Sequence, residues 1–222
     1  MENDSEKKVG RRALLGNMSV AAVAGLAAGA ATVSTPAQAQ ASGFTAQRHS
    51  KDAWMDELGG SHRVFIDSAT LAGGANAVRY AKNIIEGHEI DYNGSSSDYA
   101  LIVCFRHTSV PYAYDDAIWA KYGAIFDRSA SPAPKTNPMN TASMANGQTS
   151  LADLRASGVK VVICSKATAS YARAIAAATG GSAEAINAEL VAGAIPESRF
   201  VAAGVLAATR SQEYRYSLLY AQ

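Results

Sequence analysis

The clearest hydrophobic pattern is a set of short, nearly unbroken apolar runs separated by longer segments of helical periodicity. Residues 99–105 (YALIVCF) carry no charge, and 159–163 (VKVVI) are almost all β-branched. Such runs fit strands covered on both faces, as parallel strands are. Residues 62–67 (HRVFID), 199–203 and 216–220 read as further strands, the last as a closing strand or edge segment. Between them, 73–86 places Ala77, Tyr80, Ala81, Ile84 and Ile85 at helical spacing, with Gly87 as its expected stop. Helices are also predicted over 115–122, 149–156, 167–178, 183–192 and 204–214, and a short one from Ser50, its N-cap, to Gly59 or Gly60. Strands alternating with helices predict an α/β domain built on a parallel sheet. Residues 127–148, rich in Ser, Pro, Asn and Met, predict a long loop, either a lid or a mobile connection.

The first 39 residues follow another logic. Lys7, Lys8, Arg11 and Arg12 precede an Ala/Gly-rich apolar run from Met18 to about Val33, then Ala37-Gln38-Ala39. Charged start, apolar middle and small-residue end are the order of a twin-arginine export signal, cleaved after Ala39 or nearby. The rival reading is an uncleaved membrane anchor, for which the run is short and alanine-rich. Export by this route implies passage through the twin-arginine translocon and a periplasmic or otherwise exported location. Residues 40–60 then form a linker and short helix, and 61–222 the domain.

Charge and cysteine content narrow the classes. The chain has 20 Lys and Arg against 19 Asp and Glu, and the leading segment holds four of the former and three of the latter. The remainder is therefore formally neutral, with no basic stripe of the kind that binds nucleic acid. Two cysteines cannot make a disulfide framework, and whether Cys104 and Cys164 form a single bridge stays open. No CxxC, CxxCH or HxxxH spacing marks a metal or haem site, and no GxGxxG or Walker pattern marks a nucleotide site. No cofactor is expected.

The chemistry gathers at Cys164. A thiol in a tight strand-to-helix turn meets unpaired backbone N–H groups and the positive end of the helix dipole, with Lys166 two residues on. These influences favour thiolate over thiol and make Cys164 a candidate nucleophile. The plainer reading is a small apolar residue closing a buried strand. Cys104, inside the 99–105 run, reads as core. Arg106 and His107 follow that run, so in a parallel sheet they share an end with Cys164. There His107 would be a base or thiolate partner and Arg106 would steady an anionic substrate. Alternatively His107 is a hydrogen-bonded loop residue and Arg106 pairs with Asp115 or Asp116. Trp119, Tyr122, Tyr214, Tyr216 and Tyr220 read as core or interface aromatics.

Several stretches resemble the DsrE/DsrF-like sulfur-relay family, in its exported branch. The segment GVKVVIC at 158–164 with its Ala-rich helix is similar to that family's sulfur-accepting cysteine segment. Arg199 to Val205 with Gln212-Glu213-Tyr214-Arg215-Tyr216 resembles its C-terminal ending, and Asp98 to Phe105 with Asp116, Trp119, Lys121, Tyr122 and Gly123 its middle. Two positions depart from the pattern: Arg215 stands where glycine is usual and Ala202 where proline is usual. The resemblance implies a five-stranded, mostly parallel sheet flanked by helices on both faces, and assembly as a homo-oligomer. It also implies sulfur carried as a persulfide on Cys164 and exchanged with a donor or acceptor protein or a small sulfur compound. In this reading Lys166, Arg106 and Asn137 contact substrate, Asn137 from a lid at 127–148. The alternative is a non-catalytic, oligomeric small-ligand-binding module of the same fold.

Overall fold

The computed structural model describes residues 47–140 and 149–222. The export signal, its cleavage site and the rival anchor lie outside the described residues. So does the stretch 141–148 of the long loop.

Five parallel strands form one sheet in the order β4-β3-β2-β1-β5. They are β1 (His62–Ser68), β2 (Tyr99–Phe105), β3 (Lys160–Cys164), β4 (Arg199–Val201) and β5 (Ser217–Ala221). The helices are α1 (Trp54–Glu57), α2 (Leu71–Asp91), α3 (Asp116–Phe126), α4 (Leu151–Ala156), α5 (Ser165–Thr179), α6 (Ala183–Ala192) and α7 (Gly204–Glu213). A 3₁₀ segment, His107–Ala113, follows β2.

The strand order accounts for the layering. Crossovers from β1 through β4 all step in one direction, and parallel crossovers are right-handed, so α2 to α6 fall on one face of the sheet. The step from β4 back to β5 is the single reversal, which puts α7 on the opposite face. Two separate cores result. Ile66, Leu101, Val103, Phe105, Val161 and Ile163 pack with residues of α2, α3, α5 and α6. Phe65, Ala100, Ile102, Cys104 and Val162 pack with Ala207 and Ala208 of α7, Trp54 and Met55 of α1, and Tyr214 and Tyr216. The central strand β2 is buried along its whole length, whereas edge strand β5 exposes four of its five residues.

Local departures from expectation have identifiable causes. Helix α2 does not stop at Gly87 but runs to Asp91. A mid-helix glycine costs only about 1 kcal/mol, and the added turn packs His88 against His62 and edge-on to Tyr99, with ring centroids 4.8 and 4.7 Å apart. Ser50 does not cap a helix; it begins a 3₁₀ turn capped by His49, and the α-helical turn starts at Trp54, where Trp54 and Met55 enter the core. Gly73 and Gly74 are packing residues. A Cβ on the first would lie 2.5 Å from the Ala221 carbonyl oxygen, and on the second 2.5 Å from the Tyr112 ring.

Candidate functional site

The carboxyl ends of the parallel strands all open on one edge of the sheet, and ligands in open α/β sheets bind there. A cavity of about 790 Å³ occupies this edge. Its walls come from segments far apart in sequence: Arg106, His107 and Thr108 after β2, Cys164 at the end of β3, and Ala203, Gly204 and Val205 after β4. The first three turns of α5 and the end of α3 with Asp127, Arg128 and Ser129 complete it.

Cys164 is the N-cap of α5, and its side chain makes no capping hydrogen bond. It is 6% exposed, so it forms part of the wall rather than projecting from it. The turn is fixed from behind: Thr168 Oγ1 donates to the Cys164 carbonyl at 3.2 Å, and the Tyr114 hydroxyl donates to Thr168 at 2.8 Å. Burial raises the Tyr114 pKa, which keeps that hydroxyl a donor. Along α5, Lys166 and Ala167, then Ser170 and Tyr171, then Ala174 recur one turn apart and present one face to the cavity.

His107 lines the same cavity and is exposed, with φ of 52°, in the left-handed region that β-carbon-bearing residues rarely occupy. That backbone is held by its neighbours. Ser109 Oγ accepts from Arg106 N at 3.0 Å, and Thr108 N and Oγ1 both donate to the Ala69 carbonyl.

Arg106 is paired, but not with the residues expected. Its Nε and Nη2 donate to the two carboxylate oxygens of Asp67 at 2.8 and 2.7 Å. Asp115 instead caps α3 through Ile118 N, and Asp116 accepts from Asn137 N and Asn140 Nδ2. The Asp67 carboxylate is almost wholly buried and needs a partner in place, since an unpaired charge there would be far costlier than an ion pair. Hydrogen bonding to Asp67 raises the Arg106 pKa further. Arg106 thus lines the cavity with a guanidinium already committed to a carboxylate.

Asn137 is a correction. It is 1% exposed, and its Nδ2 donates to the carbonyls of Tyr112 and Tyr114 while its Oδ1 accepts from Met139 N. An Asn whose amide is consumed by backbone groups in the interior is a clamp for the loop, not a contact in the cavity. The same loop is seated by Gly123, where a Cβ would lie 2.0 Å from the Pro134 carbonyl oxygen.

Both cysteines are free. Cys104 opposes Val162 across the β2–β3 ladder, so Cys164 lies two residues further along. Strand spacing and rise put their Cα atoms about 8 Å apart, beyond the ~7 Å that a disulfide spans without backbone movement. Cys104 is fully buried beneath Gly204, and its pKa is raised well above the usual thiol value, first by burial and then by Asp67. A Cβ on Gly204 would lie 3.1 Å from Cys104 Sγ and 2.8 Å from Arg106 Cβ, so only glycine lets α7 start this close to the strand ends.

The structure therefore brings Cys164, His107, Arg106 and Lys166 to one cavity and leaves Asn137 out. Gly204, Arg128, Tyr171 and Ser170 belong to it as well. The α5 members carried a sequence signal, the one-turn spacing from Lys166, whereas Arg128 and Gly204 are brought in only by the chain's path. Among the described residues no three His, Cys, Asp or Glu side chains converge as a metal-ligand set, and no helix is long and apolar enough to cross a membrane. Compared with family models, characterised proteins and solved structures, the chain gives no match.

Proposed function

We propose that this chain binds a small molecule in the cavity at the carboxyl edge of its sheet and carries sulfur on Cys164. The observation that supports this most is the placement of a free cysteine in the cavity wall at the start of a 15-residue helix, beside Lys166 and His107. Backbone N–H groups and a lysine at that point stabilise negative charge. The resemblance of the Cys164 segment and of the C-terminal ending to DsrE/DsrF-like proteins supports the same reading. In the transfer step the Cys164 thiolate attacks the outer sulfur of a persulfide donor. A bond forms between Sγ and that sulfur, the donor's S–S bond breaks, and the donor leaves as a thiolate with the electron pair. The proton stays on the transferred sulfur, and in this proposal His107, on the same cavity, protonates the leaving thiolate. An exported, homo-oligomeric protein exchanging sulfur with a partner protein or a small sulfur compound is part of this proposal.

A second reading has its own support. Cys164 is nearly covered, and the cavity is large beside a chain of a few sulfur atoms, which favours a module that binds a ligand without reacting with it. Exposure of the folded protein to polysulfide, followed by intact-mass measurement, separates the two. A carrier gains whole sulfur atoms on Cys164 and loses this gain in Cys164→Ser. Absence of any gain, or gain only after denaturation, overturns the sulfur reading and leaves the binding module.

A further inference from the structure

The volume and lining of the cavity say more about its occupant than the cysteine does. At about 790 Å³ this cleft, open to solvent, lies within the ~300–1,000 Å³ range of small-molecule pockets. It holds on the order of twenty-five water volumes, far more than a small inorganic sulfur anion fills. Its walls away from Cys164 are apolar: Leu71, Ile125, Phe126, Ala167, Tyr171 and Ala174. Phe126 and Tyr171 meet edge to face, ring centroids 5.4 Å apart, as a firm aromatic wall.

The charges of the lining nearly balance. Arg106, Arg128 and Lys166 are the cations. Asp67 neutralises Arg106 from behind. Asp127 is the one carboxylate in the lining among the described residues, and its Oδ1 accepts from Ser129 N, Ser129 Oγ and Ala130 N. Lys166 and Arg128 have no ion-pair partner among the described residues. One formal positive charge therefore remains, reinforced by the N-termini of α5 and α7, which reach the cavity at Cys164 and Gly204. One surplus charge above an apolar chamber suits one negative charge on an apolar body.

We infer that the cavity takes a monoanion with a hydrocarbon or aryl body, its charged head at the Cys164–Lys166 end and its apolar body against Phe126, Tyr171 and Ala174. The inference rests on the same site as the proposed function, yet it does not depend on any reaction at sulfur.

Calorimetric titration of the full chain with decanoate, decanol and acetate tests it, all below micellar concentrations. Decanoate binds at least tenfold more tightly than decanol, and acetate shows no binding. Lys166→Gln weakens decanoate several-fold and leaves decanol unchanged. Ala174→Trp fills the chamber from an exposed helix position and weakens decanoate and decanol together by tenfold or more, with the far-ultraviolet circular dichroism unaltered. Equal affinity for decanoate and decanol, or no binding of either, overturns the inference. Sulfur loading from inorganic polysulfide, which needs no apolar body, is measured alongside. Loading without decanoate binding refutes this inference and leaves the sulfur reading intact, and decanoate binding without loading does the reverse.

Discussion

The pair formed by Asp67 and Arg106 holds the strand ends on which the cavity is built, so its removal should be felt in both stability and shape. Their side chains are 8% and 21% exposed, and the contact is bidentate. Arg106→Met keeps the aliphatic stem and deletes the charge. It leaves the Asp67 carboxylate beside buried Cys104 with no cation to face. Breaking a buried pair from one side costs ~3–5 kcal/mol; because Arg106 reaches water at the cavity mouth, about 3 kcal/mol is the expected loss. Asp67→Asn should cost less, about 1–2 kcal/mol, because the freed guanidinium can turn toward solvent. Asp67→Asn with Arg106→Met should cost about as much as Arg106→Met alone, a coupling of about 1–2 kcal/mol between the two sites. Equilibrium urea unfolding measures these values through the fluorescence of Trp54 and Trp119, both buried. A loss below about 0.5 kcal/mol for Arg106→Met would mean that the pair behaves as an ordinary surface ion pair. Arg106 would then not be held in place at the cavity by Asp67.

Other outcomes follow from single features. Gly204→Ala gains helix propensity of at most about 1 kcal/mol but presses a methyl group against Arg106 and Cys104. Overpacking of this kind costs ~1–3 kcal/mol, so the urea midpoint should fall; a rise would show that α7 shifts freely. Arg215 has φ of 66° and is exposed. Relief of ~1–2 kcal/mol of left-handed strain outweighs the ~0.4–1 kcal/mol of added unfolded-state entropy, so Arg215→Gly should raise the midpoint and Arg215→Ala should not. Glu189 accepts from Lys121 Nζ and the Tyr122 hydroxyl, which hold its pKa below the ordinary 4.5. A depressed carboxylate contributes stability above its unfolded pKa and loses it as pH falls through the folded value. Glu189→Gln should therefore be less stable than wild type at neutral pH, with the gap closing as pH falls below about 4.5; a gap independent of pH would point to shape rather than charge. Iodoacetamide should label Cys164 in the folded protein and Cys104 only after denaturation, read by peptide mass mapping; native labelling of Cys104 would contradict its burial beneath α7.

Periodicity alone was enough for the scaffold. Unbroken apolar runs such as 99–105 have no solvent face to offer, so they had to become central parallel strands, and β2 has the predicted limits. The helix at 183–192 was equally legible, with Ser182 as its cap and Gly193 past its end. Boundaries set by weak local preferences were not: Gly87 lost to the aromatic contacts of His88, and Ser50 to the burial of Trp54 and Met55. The candidate site was half legible for the same reason. Cys164, Arg106 and His107 follow strands, and all parallel strands end on one edge, so their convergence was implied once the sheet was parallel. Which carboxylate Arg106 would meet, that Asn137 would be spent on backbone carbonyls, and that Arg128 and Gly204 would close the cavity depended on contacts across up to a hundred residues. The pairing of β1 with β2 sets the first, the folding of the loop onto the 3₁₀ segment the second, and the single reversal in strand order brings Gly204; short-range pattern holds no record of them.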